Sequence, residues 1–508
     1  MRGNFKKTIQ KATLKSLETL DSSFSRSRRK FLSQLCTLPA GLWIPRLPLK
    51  SYKSTDIVVV GAGIAGLNAL HVLKKKGIKA SLFEASNRTG GRMMTLNNYF
   101  APELNTELGG EFIDTYHHDI ISLTKEFKLD LVDLRKDDPS LDEVLFFNGK
   151  KFTENDLVNE IMPFADKLRL DLERFPGNLE DITYKDNKNW SEIDHLSIPQ
   201  YLDRIGIKGW LKSYYSYQMS GYYTMDAKYQ SAVNLFLLLQ LPEDAQSETE
   251  DQSEVFKIKG GSEALTKAMY KSLEDQINFG YSLIEIHKNK GNSFTAVFEF
   301  LGDKKMVKAD YLILAIPFTK LREVKTIGFN WSETKKDCIH HLGYGNGGKI
   351  ILGMKERIWR DYASHGGMVA DIPAYSTWDS SRLQPGSAGT LTIFGGADIG
   401  NDAAIMRASE IKEKYMPGLE SIWPGFEKKS NNMIHKFSWQ DYYFNLGSYT
   451  SYKVGQWSAF GGIEKEPEGN ILFAGEHCSI QFQGYMNGGA QTGRIAAEQV
   501  LNQINARF

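Results

Sequence analysis

Four consecutive apolar residues, Ile57 to Val60, run straight into Gly61-Ala62-Gly63-Ile64-Ala65-Gly66. An unbroken apolar run of that length, bounded by a glycine turn, reads as a strand. Helical spacing follows, with Leu67, Leu70, Val72 and Leu73 apolar, and then a second apolar run that ends at Glu84. Strand-then-turn patterns return at Tyr311-Leu312-Ile313-Leu314-Ala315-Ile316-Pro317 and at Ile471-Leu472-Phe473-Ala474-Gly475. Between Glu84 and the first of these, residues 134–252 read as mainly helical and aromatic. Trp210, Tyr214, Tyr215, Tyr217, Tyr222 and Tyr223 crowd together there, ahead of an apolar helix at 232–239. Most of these rings suit core packing, with one or two left to line a pocket.

The glycine run has the context that makes GxGxxG informative: a strand before it, a helix after it and an acidic residue about 20 positions on. Gly61 allows the tight turn, Gly63 removes the side chain that would keep a pyrophosphate off the backbone, and Gly66 lets helix and sheet approach. The helix N-terminus offers N–H groups to phosphate, and Glu84 offers a carboxylate to both hydroxyls of an adenosine ribose. Arg88-Thr89-Gly90-Gly91-Arg92 adds a second glycine pair between two guanidinium groups, suited to a further approach to pyrophosphate and flavin.

With these motifs the chain resembles the flavin-dependent amine oxidases: monoamine and polyamine oxidases, L-amino-acid oxidases and bacterial relatives. The resemblance implies FAD rather than NAD. It also implies an α/β fold with a doubly wound, Rossmann-like FAD-binding domain and an interleaved α+β substrate domain. On that reading, 1–53 is a basic leader. The FAD-binding domain comprises 54–133, 253–332 and 436–508, and the substrate domain 134–252 and 333–435.

Further segments match in order. Leu108-Gly109-Gly110-Glu111-Phe112 resembles a segment beside the flavin ring; Glu111 reads equally as a cofactor-facing acid or a strand-end residue. Val255 to Ser262 carries the second glycine turn. Lys349, followed by Ile358-Trp359-Arg360, resembles the lysine that holds a water at the flavin N5. Gly475-Glu476-His477 and Gly484-Tyr485-Met486 resemble the closing motifs, with Glu476 on the ribityl chain and the Met486 backbone at the pyrimidine edge. Tyr449 and Tyr485 match the two aromatic walls that orient the amine. Lys349, Tyr449 and Tyr485 are therefore the candidate catalytic residues.

Two departures narrow the chemistry. Ser448 stands where mitochondrial monoamine oxidases carry the cysteine that links to FAD, which implies non-covalent FAD. Met94 stands where many amino-acid oxidases carry a carboxylate-binding arginine, which shifts the expected substrate toward amines; an L-amino-acid oxidase is the alternative. The expected reaction turns an amine into an imine, with dioxygen giving peroxide, or a periplasmic electron carrier, as acceptor.

Composition adds bounds. The chain has 508 residues and a formal charge of +1, so nothing global points to nucleic acid. Three cysteines, Cys36, Cys338 and Cys478, are too scattered for a disulfide framework or a zinc site, and the neighbouring His117 and His118 read as structural. The segment Ser25-Arg26-Ser27-Arg28-Arg29-Lys30-Phe31-Leu32 resembles a twin-arginine export signal, which implies the periplasm, with the cytoplasm as the alternative. The apolar stretch after it is too short and proline-broken to span a bilayer, and no transmembrane anchor is expected at the C-terminus. The oligomeric state is left open, a homodimer included.

Overall fold

The computed structural model describes residues 56–239 and 253–506; the leader with its paired arginines lies outside the described residues. Ile57–Val60 (β1) occupies the middle of a five-stranded parallel sheet. Its other strands are Ser81–Glu84 (β2), Ile277–Phe279 (β3), Tyr311–Leu314 (β4) and Ile471–Phe473 (β5), in the order β5-β4-β1-β2-β3. Ile57 pairs with Tyr311 on one side, and Val58 pairs with Ser81 on the other. The chain leaves β1 toward β2 while β4 fills the opposite flank, so a crevice opens at the carboxyl ends of these strands.

All four residues of β1 are buried, because both faces of the sheet are covered. Ile57 and Val59 join Leu67 and Leu70 of helix Ile64–Lys75 (α1) and Val500 of helix Met486–Asn505 (α2). Val58 and Val60 join Phe83, Phe298 and Leu314 on the other face. There the strands Ser282–Lys288, Phe294–Phe300, Asp303–Ala309 and Lys325–Ile327 form a four-stranded sheet. The two helices cross closely: a Cβ on Gly493 of α2 would stand 2.1 Å from the Ala65 carbonyl oxygen.

A seven-stranded mixed sheet makes up the second layer. Its order is Ser430–Ser438, Gly348–Met354, Gly389–Gly395, Ser376–Asp379, Ser364–Ala370, Asp142–Phe147 and Lys150–Phe152. Helix Gly209–Tyr222 packs on it. The described part of 134–252 is mainly helical, as expected, and the last two strands are the exception. They form a hairpin around Asn148-Gly149, both with positive φ (52° and 73°), the turn that Asn-Gly favours between twisted strands. Strand Ser430–Ser438 runs continuously across the boundary expected at 435. Among the described residues no helix is long and apolar enough to cross a membrane.

Candidate active site

One continuous cavity of about 340 Å³ opens at the crevice beside β1. Every candidate residue read from the sequence lines it except Gly66. Gly66 lies inside α1 instead, where a Cβ would stand 1.9 Å from the Gly61 carbonyl oxygen. Gly61 itself needs its left-handed φ of 100°, and a Cβ there would meet the Ala315 carbonyl oxygen at 2.6 Å. Gly63 is different. It caps α1, and nothing lies within 4 Å of the Cβ it lacks, so the helix N-terminus faces open space. That cradle suits a phosphate, which the aligned N–H groups would receive.

Glu84 braces the turn. One carboxylate oxygen accepts from the Ala62 N–H at 2.7 Å, and the other accepts from the Ser86 N–H (2.8 Å) and hydroxyl (2.7 Å). A carboxylate has about four acceptor positions, so Glu84 retains capacity for one ribose hydroxyl where the sequence suggests two. The two arginines also serve the protein. Arg88 donates to the carbonyls of Gly91, Thr89 and Met93, and so holds the loop of the second glycine pair in shape. Arg92 donates through Nη1 to the Ser448 carbonyl and to Glu476 Oε1, both at 2.7 Å. Gly109 and Gly110 admit neighbours that a side chain would exclude. A Cβ at 109 would stand 1.8 Å from the Arg92 carbonyl oxygen, and one at 110 would stand 2.7 Å from Met486 Cγ.

Lys349 lies on strand Gly348–Met354, in register with Phe394 and Phe437 on its two neighbours. It is buried, and its Nζ donates to the Glu107 carbonyl (2.9 Å), the Gly109 carbonyl (3.0 Å) and Glu111 Oε2 (3.1 Å). Three acceptors match the three hydrogens of an ammonium group. Glu111 is thereby a cavity-facing acid rather than a mere strand end. Its Oε1 accepts from Lys257 Nζ at 2.8 Å, and its Oε2 also accepts from the Trp378 indole at 3.1 Å. Burial works against the Glu111 charge, but the two ammonium groups outweigh it and hold the pKa below the usual range. Burial pulls the Lys349 pKa down, opposed by Glu111. Glu107 is pushed up to about 7, first by burial and then by the Glu111 charge beside it.

Glu476 ties the aromatic walls to this frame. Its Oε1 receives Arg92, and its Oε2 accepts from the Gly484 N–H at 2.9 Å, one residue before Tyr485. Arg92 in turn holds the carbonyl of Ser448, one residue before Tyr449. One ion pair therefore anchors both tyrosine segments. The first turn of α2 begins at Met486, so its N–H groups and positive dipole end face the cavity. The Gly475 N–H is held by the Thr492 hydroxyl at 2.9 Å. His117 is buried against Asp114 and packs edge-on to the Tyr485 ring at 4.8 Å.

Sequence reasoning singled out neither Lys257 nor the Trp378 and Phe394 rings, which stand 5.1 and 5.8 Å from Lys349 Nζ. Lys257 alternates with Phe256 and Ile258, a period-two pattern that reads as a solvated face. Its only signal was its place just ahead of the second glycine turn.

The profile for flavin containing amine oxidoreductases matches residues 64–501. The chain is 24% identical over 472 residues to an L-amino-acid oxidase of Sistrurus catenatus edwardsii, covering 87% of this chain and 86% of that protein. It is 23% identical over 490 residues to the flavin-containing amine oxidase B of Homo sapiens, covering 88% and 86%. In fold it is similar to cyclohexylamine oxidase from Brevibacterium oxydans IH-35A, with a TM-score of 0.77 at 18% identity over 89% of this chain and 100% of that one. With glycine turns, buried lysine and paired tyrosines around one cavity, and a profile match over most of its length, the chain belongs to the flavin-containing amine oxidoreductase family.

Proposed function

We propose that this FAD-dependent amine oxidase acts on an amine without an α-carboxylate and passes its electrons to dioxygen. Bound FAD supplies the acceptor for the hydride equivalent that leaves the substrate α-carbon. The chain supplies the rest. Gly63 and the N-terminus of α1 take the pyrophosphate, and Glu84 takes the adenosine ribose. The N-terminus of α2 at Met486 would favour negative charge on the pyrimidine edge of the flavin. Lys349 is held in place at the cavity wall by its three hydrogen bonds. Tyr449 and Tyr485 flank the neutral amine and orient it sterically. Ser448 Oγ lies 2.5 Å from the Thr224 hydroxyl, and neither Cys338 nor Cys478 lines the cavity, which supports FAD held without a covalent link.

The observation that carries the substrate reading is the placement of positive charge. The arginines lining the cavity are Arg88 and Arg92, both engaged as described; of its lysines, Lys349 is saturated by protein acceptors and Lys320 pairs with Glu323 at 2.6 Å. Met94, at the position of the missing arginine, packs with Phe100 and Ile351. A substrate carboxylate finds no bidentate partner there. The L-amino-acid oxidases among the relatives keep a second reading alive, and matched substrates separate the two. In anaerobic mixing, phenethylamine is expected to bleach the flavin at least tenfold faster than L-phenylalanine. The reverse order overturns the amine reading. We take the paired arginines of the leader as an export signal, so the same reaction runs in the periplasm.

A further inference from the structure

Helix Gly209–Tyr222 ends where Thr224 takes a left-handed φ of 49°, which the next turn of a helix does not accommodate. The last carbonyls of a helix lack intrahelical partners. The carbonyl of Tyr222 is one of them, and it accepts the Tyr449 hydroxyl at 2.7 Å. The side chain of the same residue does a second job. Its hydroxyl lies 2.5 Å from the Tyr485 hydroxyl, with the two rings edge-to-face at 6.4 Å. Tyr222 is buried and lines the cavity.

From this geometry we propose that Tyr222 is a positioning residue for the aromatic box, holding Tyr449 through its main chain and Tyr485 through its side chain. The proposal rests on the reading of Tyr449 and Tyr485 as the walls that orient the amine. The two walls come from segments 36 positions apart and share no secondary-structure element. Their backbones are tied on one side by the Arg92–Glu476 pair. Their hydroxyls are tied on the other by a helix that packs on the seven-stranded sheet. Fixed at both ends, each ring keeps one rotamer, and the width between them is set before a substrate arrives. Preorganisation of that kind acts on the rate of the chemical step more than on affinity.

The two bonds separate by mutation. Tyr222→Phe removes the hydroxyl contact with Tyr485 and leaves the carbonyl that holds Tyr449. Tyr485→Phe removes the same contact from the other side, and Tyr449→Phe removes the carbonyl bond. With FAD-loaded full-length protein and phenethylamine as probe, each single change is expected to lower the limiting rate of flavin reduction roughly fivefold, the scale of one hydrogen bond. The apparent Kd, read from the spectral change on binding, should move less than twofold. Tyr222→Phe/Tyr485→Phe should be no slower than the slower single variant, whereas Tyr222→Phe/Tyr449→Phe should show the product of the two losses. An unchanged rate in Tyr222→Phe, or multiplied losses in the first pair, overturns the proposal.

Thermal unfolding of the same FAD-loaded variants reads the bond whatever the substrate. Non-additive Tm losses in Tyr222→Phe/Tyr485→Phe support the shared bond, and additive ones contradict it. If phenethylamine leaves even the unaltered protein yellow, the function reading fails and the Tm cycle still decides the clamp.

Discussion

Burial sorts the acids of this chain into two kinds. Glu111 keeps its charge because two ammonium groups and an indole N–H meet it. Glu464 lacks such a match. Its pKa is pushed up to about 7 by burial, which outweighs a backbone N–H and the Lys335 charge pulling the other way. Between pH 4.5 and about 7 the folded chain therefore holds a proton on Glu464 that the unfolded chain releases. Stability from this group falls as pH rises through that window, by at most about 3 kcal/mol, and the loss is complete above it. Glu464→Gln has no such proton, so its Tm should fall less between pH 5 and pH 8 than that of the unaltered protein. Parallel Tm curves would contradict the assignment. Glu464 does not line the cavity, so the comparison is free of effects on the cofactor. At this scale the sequence was legible where a motif fixed the residue's surroundings, as for Lys349. It was silent where only the fold supplies them. Lys257 alternates with apolar neighbours, yet Glu111 and the Ser380 carbonyl draw its ammonium inward, at 2.8 and 2.7 Å.

Among elements, β1, its glycine turn and α1 were readable because each position has a local steric reason. Two of those reasons can be separated by mutation. Gly66→Ala drives a methyl group against the Gly61 carbonyl, so α1 must lift from β1; both the Tm of the apoprotein and its FAD content should drop. Gly63→Ala meets no protein atom within 4 Å, so the apoprotein should melt normally while FAD affinity falls at least tenfold. Full FAD content in either variant, measured by absorbance after gel filtration, contradicts the steric account. The hairpin of Asp142–Phe147 and Lys150–Phe152 was not readable from its surroundings. Its first strand gains an outer partner, Ser364–Ala370, from more than 200 residues away. Helix α2 starts at Met486, within the last closing motif, and continues to Asn505.

On the scale of the whole molecule, the parallel sheet draws its strands from three separated stretches of chain, and the mixed sheet is built largely from the stretches between them. The cavity lies where the two layers meet, which is why Tyr222, Tyr449 and Tyr485 converge there without any shared sequence pattern. Family motifs pointed to the last two. The first, one tyrosine in a crowded aromatic stretch, became distinguishable only through the carbonyl and hydroxyl it presents. The most direct test of the central claim is the visible spectrum of the purified protein, recorded anaerobically before and after phenethylamine and then after acid precipitation. The account predicts flavin bands that the amine bleaches, and FAD released intact into the acid supernatant. A protein that is colourless and takes up no FAD, or whose flavin stays oxidised with every amine offered, contradicts it.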